Sequence, residues 1–108
     1  MKSIFSMIVL TAVLLWVTPL FAADVAAGKD LFGKKCASCH GVGGEGKDTV
    51  AKTFKVELHH LGSKEVQAKS EADLKKVIAE GTGKMKAVKD VDAKGADDIV
   101  AFMRTLKK

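Results

Sequence analysis

Cysteine and proline are scarce in this 108-residue sequence, which contains two cysteines and one proline. Both cysteines fall within one short stretch, residues 36–40, so no disulfide framework can support the fold. The lone proline is Pro19, and residues 24–108 therefore contain none. A chain of this length forms one small domain with a thin core. Such a core needs additional support from something other than disulfides.

Charged side chains are absent from residues 4–23, an apolar run that follows Lys2. A basic residue followed by an apolar run is typical of an export signal. We predict cleavage near Ala23, because Pro19 breaks the helix just before a small-residue stretch. Residues 1–23 are thus predicted to be a signal peptide. The remaining domain, 24–108, is predicted to be periplasmic.

An uncleaved membrane anchor is the alternative interpretation of residues 4–23. The run approaches the ~20 residues that a helix needs to span a bilayer. Cleavage after Ala23 would also leave bulky Phe21 where a small residue is preferred. In that case the protein would be exported but held at the membrane.

The two cysteines belong to the stretch Cys36-Ala37-Ser38-Cys39-His40, which has the C-x-x-C-H spacing of a c-type haem attachment site. Two cysteines at this spacing can each form a thioether to a vinyl group on the same porphyrin edge. His40 follows at once and is predicted to be the proximal iron ligand. The stretch predicts one covalently attached haem c per chain, which can serve as the centre of the core.

A C-x-x-C pair has two other possible uses, a dithiol redox site and a structural zinc site. A dithiol redox site of the thioredoxin kind needs a lowered thiolate pKa and a βαβ setting, and no segment has the pattern of parallel strands. Structural zinc would need further ligands at metal spacing, and the sequence has no third cysteine. Haem attachment is therefore favoured over both.

Three segments have the features of helices. The first begins at Asp24, a suitable N-cap, and runs to Cys36. The second, residues 70–80, has a capping-box-like start at Ser70 and then apolar residues at helical spacing before Gly81, namely Leu74, Val77 and Ile78. The third, about Ala93 to Lys107, is amphipathic. Residues 41–69 and 81–88 are predicted to be mainly loop.

Gly28, Phe32 and Cys36 share one face of the first predicted helix. A glycine on that face would let another helix approach closely, and we favour this over the alternative of a chance helix weakener. The loop over residues 41–69 is predicted to cover the haem through apolar anchors. These anchors are Phe54, Val56, Leu58 and Leu61.

Met85 is predicted to be the sixth iron ligand, because it lies in a glycine-containing loop between lysines. Met103 instead belongs to the apolar stripe of the closing helix, which explains it as core packing. His59 and His60 could also ligate iron, giving two imidazole ligands and a lower potential. We interpret them as surface or pocket-rim residues.

The ordered motifs resemble those of small class I cytochromes c. They are the Gly28–Phe32 helix, C-x-x-C-H, a middle helix, Gly81-x-Gly-x-Met85 and a closing helix with Phe102. The resemblance implies an all-α fold of three main helices and long loops around one haem, with Gly28 and Phe32 packed against Phe102. It also implies an electron carrier, not an enzyme, with haem bound by Cys36, Cys39, His40 and Met85.

The chain departs from this family at two positions. Lys86 follows Met85 where these proteins usually have proline. The family also often has a proline after the haem motif whose carbonyl orients the proximal histidine, and residues 24–108 have no proline. A different backbone carbonyl is therefore expected to hold His40.

Two functional hypotheses follow from the sequence. An electron carrier would have a six-coordinate iron and bind no substrate, whereas a ligand-binding or catalytic haem protein would keep the sixth position open. A five-coordinate cytochrome of the c-prime kind would have its haem motif near the C-terminus, so we favour the carrier. A group of lysines would suit acidic redox partners, and the alternative is that they are ordinary solvated lysines. They are Lys34, Lys35, Lys84, Lys86 and Lys89. We expect the protein to be a monomer and to have no nucleic-acid partner.

Overall fold

The computed structural model describes residues 23–108. The predicted signal sequence therefore lies outside the described residues, apart from Ala23. Within the described part, the chain forms six helices and one short antiparallel hairpin. The elements are α1 (Val25–Lys35), α2 (Ala37–His40), α3 (Asp48–Phe54), α4 (Lys64–Gln67), α5 (Glu71–Glu80), β1 (Gly81–Thr82), β2 (Met85–Lys86) and α6 (Ala93–Thr105).

The first and last helices form the main packing unit. The Asp24 side chain caps α1 by accepting a hydrogen bond from the Ala27 N–H at 3.0 Å. Gly28 of α1 is buried, and a Cβ built there would overlap the backbone carbonyl of Asp98 on α6. The glycine thus permits the close helix crossing that the sequence predicted. Phe32 lies one turn further along the same face of α1.

The core lies between α1, α5 and α6. Phe32 and Ile99 are completely buried, and the Phe32 and Phe102 rings have centroids 5.1 Å apart. Leu74 and Ile78 of α5 join this core, which confirms the face predicted for the middle helix. Ser70 caps α5 through a 3.1 Å hydrogen bond from the Asp73 N–H. All three main helices are therefore confirmed, and the fold class is all-α.

Two segments predicted to be mainly loop contain regular structure. Residues 41–69 include α3 and α4, and residues 81–88 include the hairpin, in which Thr82 pairs with Met85. Neither of the two short helices contains a buried residue. The segment 41–69 is still mainly loop, as predicted. The two helices have only seven and four residues, which is too short for an apolar period to be recognised, so the sequence did not indicate them.

The hairpin is fastened to the preceding helix. The Val88 N–H donates to the Ile78 carbonyl at 2.8 Å, directly beyond β2. Met85 therefore lies in a hairpin that is fastened to α5, and not in a free loop. Among residues 23–108, no helix reaches the length and apolar character needed to cross a membrane.

Candidate haem-binding site

Two adjoining cavities, of about 520 and 420 Å³, lie between the haem motif, the hairpin and the segment after α3. Both are bordered by Cys36, His40, Val56, Leu58 and Met85. Cys39 borders the first cavity, while Phe32, Leu74, Ile78, Ile99 and Met103 of the core border the second. The structure thus brings together all four predicted site residues around one largely apolar space.

The haem motif is held at a break between α1 and α2. Cys36 ends α1, its N–H donating to the Phe32 carbonyl at 2.8 Å, and the His40 N–H donates to the Cys36 carbonyl at 3.0 Å. The next loop folds back, because the Gly46 and Lys47 N–H groups donate to the His40 and Cys39 carbonyls. One turn of helix therefore presents both sulfurs and the imidazole to the cavities.

Burial sets the charge of the motif's side chains. It raises the pKa of the Cys36 thiol to about 11, with a further contribution from Cys39, so this thiol is neutral near pH 7. Burial also lowers the pKa of His40, which favours the neutral imidazole that binds a metal. A thioredoxin-like site needs the opposite shift at cysteine. For the zinc alternative, residues 23–108 contain no group of three or more His, Cys, Asp or Glu side chains that could hold a metal ion.

The Nδ1 atom of His40 is buried and has no hydrogen-bond partner among the described residues. The expectation that another backbone carbonyl holds this ring is therefore wrong for this structure. The reason lies in the following loop, whose N–H groups point back toward the motif. The Cys39 and His40 carbonyls accept hydrogen bonds from these N–H groups, and no carbonyl of the loop accepts one from Nδ1.

The other candidate iron ligands have different surroundings. Met103 is buried in α6 with the core, as predicted, although it also borders the second cavity. His59 has a half-exposed side chain and places its Nδ1 3.2 Å from a carboxylate oxygen of Glu65. The Nδ1 of His60 accepts a 2.8 Å hydrogen bond from the Gly62 N–H. His59 is thus a residue of the rim, and His60 is engaged within its own turn.

The predicted apolar anchors all border the cavities. Leu61 is buried, Val56 and Leu58 are half-buried, and Phe54 is 47% exposed. Three further valines, Val50, Val66 and Val77, border the cavities and were not predicted to do so. Val77 was assigned to the apolar side of the middle helix, but Val50 and Val66 lie in the short helices and gave no signal.

The five lysines noted in the sequence all border the first cavity, next to the motif and the hairpin. They come from two distant segments, the end of α1 and residues 84–89. The fold therefore concentrates positive charge around the mouth of the cavity that contains both motif cysteines. The geometry as a whole defines a small helical protein that presents two thiols, an imidazole and a thioether to one apolar space.

Comparison with known proteins agrees with this description. Residues 23–103 match the family described as cytochrome c oxidase, cbb3-type, subunit III. The chain therefore belongs to the c-type cytochromes, as a small class I member. The cofactor of this family is covalently bound haem c with its iron. The apolar lining, the neutral imidazole and the paired thiols fit that group.

Individual relatives carry related names. The chain is 40% identical over 72 residues to cytochrome c6 of Synechococcus sp. (strain ATCC 27167 / PCC 6312), a match that spans 63% of each chain. It is 36% identical to cytochrome c-554(547) of Halothiobacillus neapolitanus, over 80% of this chain and all of the relative. A solved structure, KustC0563 c-type cytochrome, superposes with a TM-score of 0.61 at 27% identity, covering 75% of this chain and 98% of its own.

Proposed function

We propose that the protein is an exported, monohaem electron carrier whose iron is bound by His40 and Met85. The observation that supports this best is the shared cavity lining: Cys36, His40 and Met85 border both cavities, although Met85 comes from a different element. Names of relatives such as cytochrome c6 and cytochrome c-554(547) agree with electron carriage.

Each site residue has a distinct role in this proposal. Cys36 and Cys39 hold the haem edge as thioethers, which fixes the ring relative to α1 and α2. His40 supplies the proximal imidazole, neutral because its burial lowers the pKa. Met85 supplies a soft thioether, which raises the potential and leaves exogenous ligands little access.

Haem c supplies a one-electron couple between ferric and ferrous iron. The chain's part is to bind, enclose and orient the group. Core residues on three helices hold the apolar walls in place, which limits rearrangement of the surroundings when the iron changes charge. The first cavity opens between lysines, and this is the side from which we expect a partner to approach.

The surface and the leader complete the proposal. Acidic redox proteins are the partners that a lysine-rimmed opening suits, and nucleic acid is not a partner. The protein acts as a monomer, in the periplasm after cleavage near Ala23 or anchored by residues 4–23.

Substitution of Met85 tests the ligand set. Met85→Ala should abolish the sulfur-to-iron charge-transfer absorption of the oxidised protein, lower the potential and allow carbon monoxide to bind the reduced haem. Optical spectra of both redox states, with and without carbon monoxide, give the answer directly. Met103→Ala is the matched control, since it removes the other thioether that borders the second cavity.

The alternative function gives a different set of spectra. If the wild-type protein already binds carbon monoxide and lacks the charge-transfer band, the sixth position is open and the ligand-binding hypothesis is correct. If His59→Ala or His60→Ala changes the spectrum while Met85→Ala does not, the iron has two imidazole ligands. Either result overturns the proposal for Met85.

A further inference from the structure

Two polar side chains outside the cavities tie the segment 61–69 to the end of α6. Gln67 donates through Nε2 to the Leu61 carbonyl at 2.9 Å and to the Met103 carbonyl at 3.0 Å. Arg104 donates through Nη1 to the Gln67 carbonyl at 2.9 Å and through Nη2 to the Lys69 carbonyl at 2.8 Å. Arg104 also approaches the Gln67 Oε1 at 3.3 Å. Together, Gln67 and Arg104 form a polar clamp.

The segment that the clamp holds is a wall of the second cavity. Leu61, Val66 and Lys69 border that cavity, and so does Met103 on α6. Neither Gln67 nor Arg104 borders it, so the clamp lies behind the wall and acts through it. The segment has only the four-residue helix α4 of its own, and short helices are marginal without tertiary support.

The chemistry of both side chains suits this task and is hard to replace. An amide has donors and an acceptor at one end, so Gln67 can reach two carbonyls and still meet a guanidinium. Arginine has a planar fork of donors, whereas the lysine ammonium is a single point charge. A backbone hydrogen bond joins the same two parts of the chain, since the Lys108 N–H donates to the Gly62 carbonyl at 3.0 Å.

We propose that Gln67 and Arg104 are positioning residues that hold the Leu61–Val66 wall against the haem, and so help to set its reduction potential and its closure to small ligands. This rests on the proposed function for its account of the haem. Burial and solvent exposure of the group are among the factors that set the potential. A loosened wall admits water, which stabilises the more highly charged ferric state and lowers the potential.

The test uses the full-length, haem-loaded protein with either Arg104→Lys or Gln67→Glu. Gln67→Glu replaces the donor that faces two carbonyls with an acceptor, while preserving size and a charge partner for Arg104. We expect both variants to keep the covalent haem, to have a lower potential, and to bind carbon monoxide when reduced. Amide hydrogen exchange in residues 61–69 should become about tenfold faster or more, as expected for losing charge-assisted bonds.

Asp97→Asn is the matched control, because it breaks a 2.8 Å ion pair between Lys75 and Asp97 that joins α5 to α6 outside the cavities. This control should leave the potential and carbon monoxide binding unchanged. If the clamp variants keep the wild-type potential and remain closed to carbon monoxide, or if Asp97→Asn changes both as much, the clamp has no positioning role. If Arg104→Lys yields no haem-loaded protein, the potential and carbon monoxide binding of Gln67→Glu decide whether the clamp has a positioning role.

The exchange measurement separates this proposal from the ligand set. A wild-type protein that already binds carbon monoxide would contradict Met85 ligation and the proposed function. The clamp would still be supported by faster exchange confined to residues 61–69 together with a lower potential. Unchanged exchange and potential in both variants would overturn the clamp whatever ligand opposes His40.

Discussion

The rings of Phe32 and Phe102 lie with centroids 5.1 Å apart and planes inclined at 57°, where α1 crosses α6. Tilted aromatic pairs at this distance contribute beyond the apolar area that they bury. Phe32 also borders the second cavity, next to Cys36 and Ile99. The helix crossing and the haem-binding site therefore share one structural element.

A double-mutant cycle measures this pair. Phe32→Leu and Phe102→Leu should each lower the free energy of unfolding of the haem-loaded protein by about 1–3 kcal/mol. The double variant should lose less than the sum, with a coupling of about 0.5–1.5 kcal/mol. Denaturant titration of all four proteins gives these quantities. Additive losses would show that the two rings pack independently.

Gly28 and Gly33 form a matched pair of glycines on α1. A Cβ at Gly28 would overlap the Asp98 carbonyl, whereas a Cβ at Gly33 meets no atom within 4 Å. Gly28→Ala should therefore force the helices apart and lower the free energy of unfolding by at least about 1–3 kcal/mol. Gly33→Ala should be neutral or stabilise it by up to about 1 kcal/mol, through helix propensity. Thermal unfolding that changes equally in both variants would contradict this account of the crossing.

Asp98 is a buried carboxylate that links the start of the described chain to α6. It is 3% exposed and accepts 2.8 Å hydrogen bonds from the Lys94 ammonium and the Asp24 N–H. The Lys94 bond, followed by the Asp24 bond, lowers the pKa of Asp98 below the ordinary 3.8. The folded state thus binds this proton less readily than the unfolded state. Its contribution to stability is therefore present above pH 3.8 and is lost as the pH falls through the folded-state pKa.

Asp98→Asn should make the protein less stable at pH 7, and the difference from wild type should shrink in acid. Urea titrations from pH 7 down to about pH 2.5, below the ordinary pKa of the carboxyl, would measure it. Asp97→Asn is the control, since its pair with Lys75 is exposed and screened by solvent, and therefore contributes little to stability. A stability difference for Asp98→Asn that does not change with pH would rule out this linkage.

The lysines around the first cavity give an ionic-strength prediction. Electron-transfer rates with an acidic partner should fall as salt rises, because screening acts over about 8–10 Å at physiological salt. Lys86→Gln should reduce this salt dependence. Lys64→Gln should not, since Lys64 lies on α4 and does not border the first cavity. Rates that stay flat with ionic strength in the wild-type protein would argue against electrostatic steering.

Local signals in the sequence were sufficient for the three main helices. Asp24 and Ser70 cap helices in the structure where the sequence placed N-caps. Apolar residues at helical spacing also identified the buried faces of α5 and α6. These signals act over only a few residues, so a single sequence reveals them. The hairpin and the short helices α3 and α4 were not predicted, because each is too short for an apolar period to be recognised.

The sequence by itself determined the haem motif and the helices that surround it, because residue type and short spacing define both. Only the tertiary structure decided which distant groups meet. It brought Met85 to the same cavities as His40 and engaged the Nδ1 of His60 within its own turn. It also left the His40 Nδ1 without a hydrogen-bond partner among the described residues and paired Gln67 with Arg104. These long-range contacts depend on how the helices cross and how the loops pack on them, since residues in contact have no fixed separation along the chain.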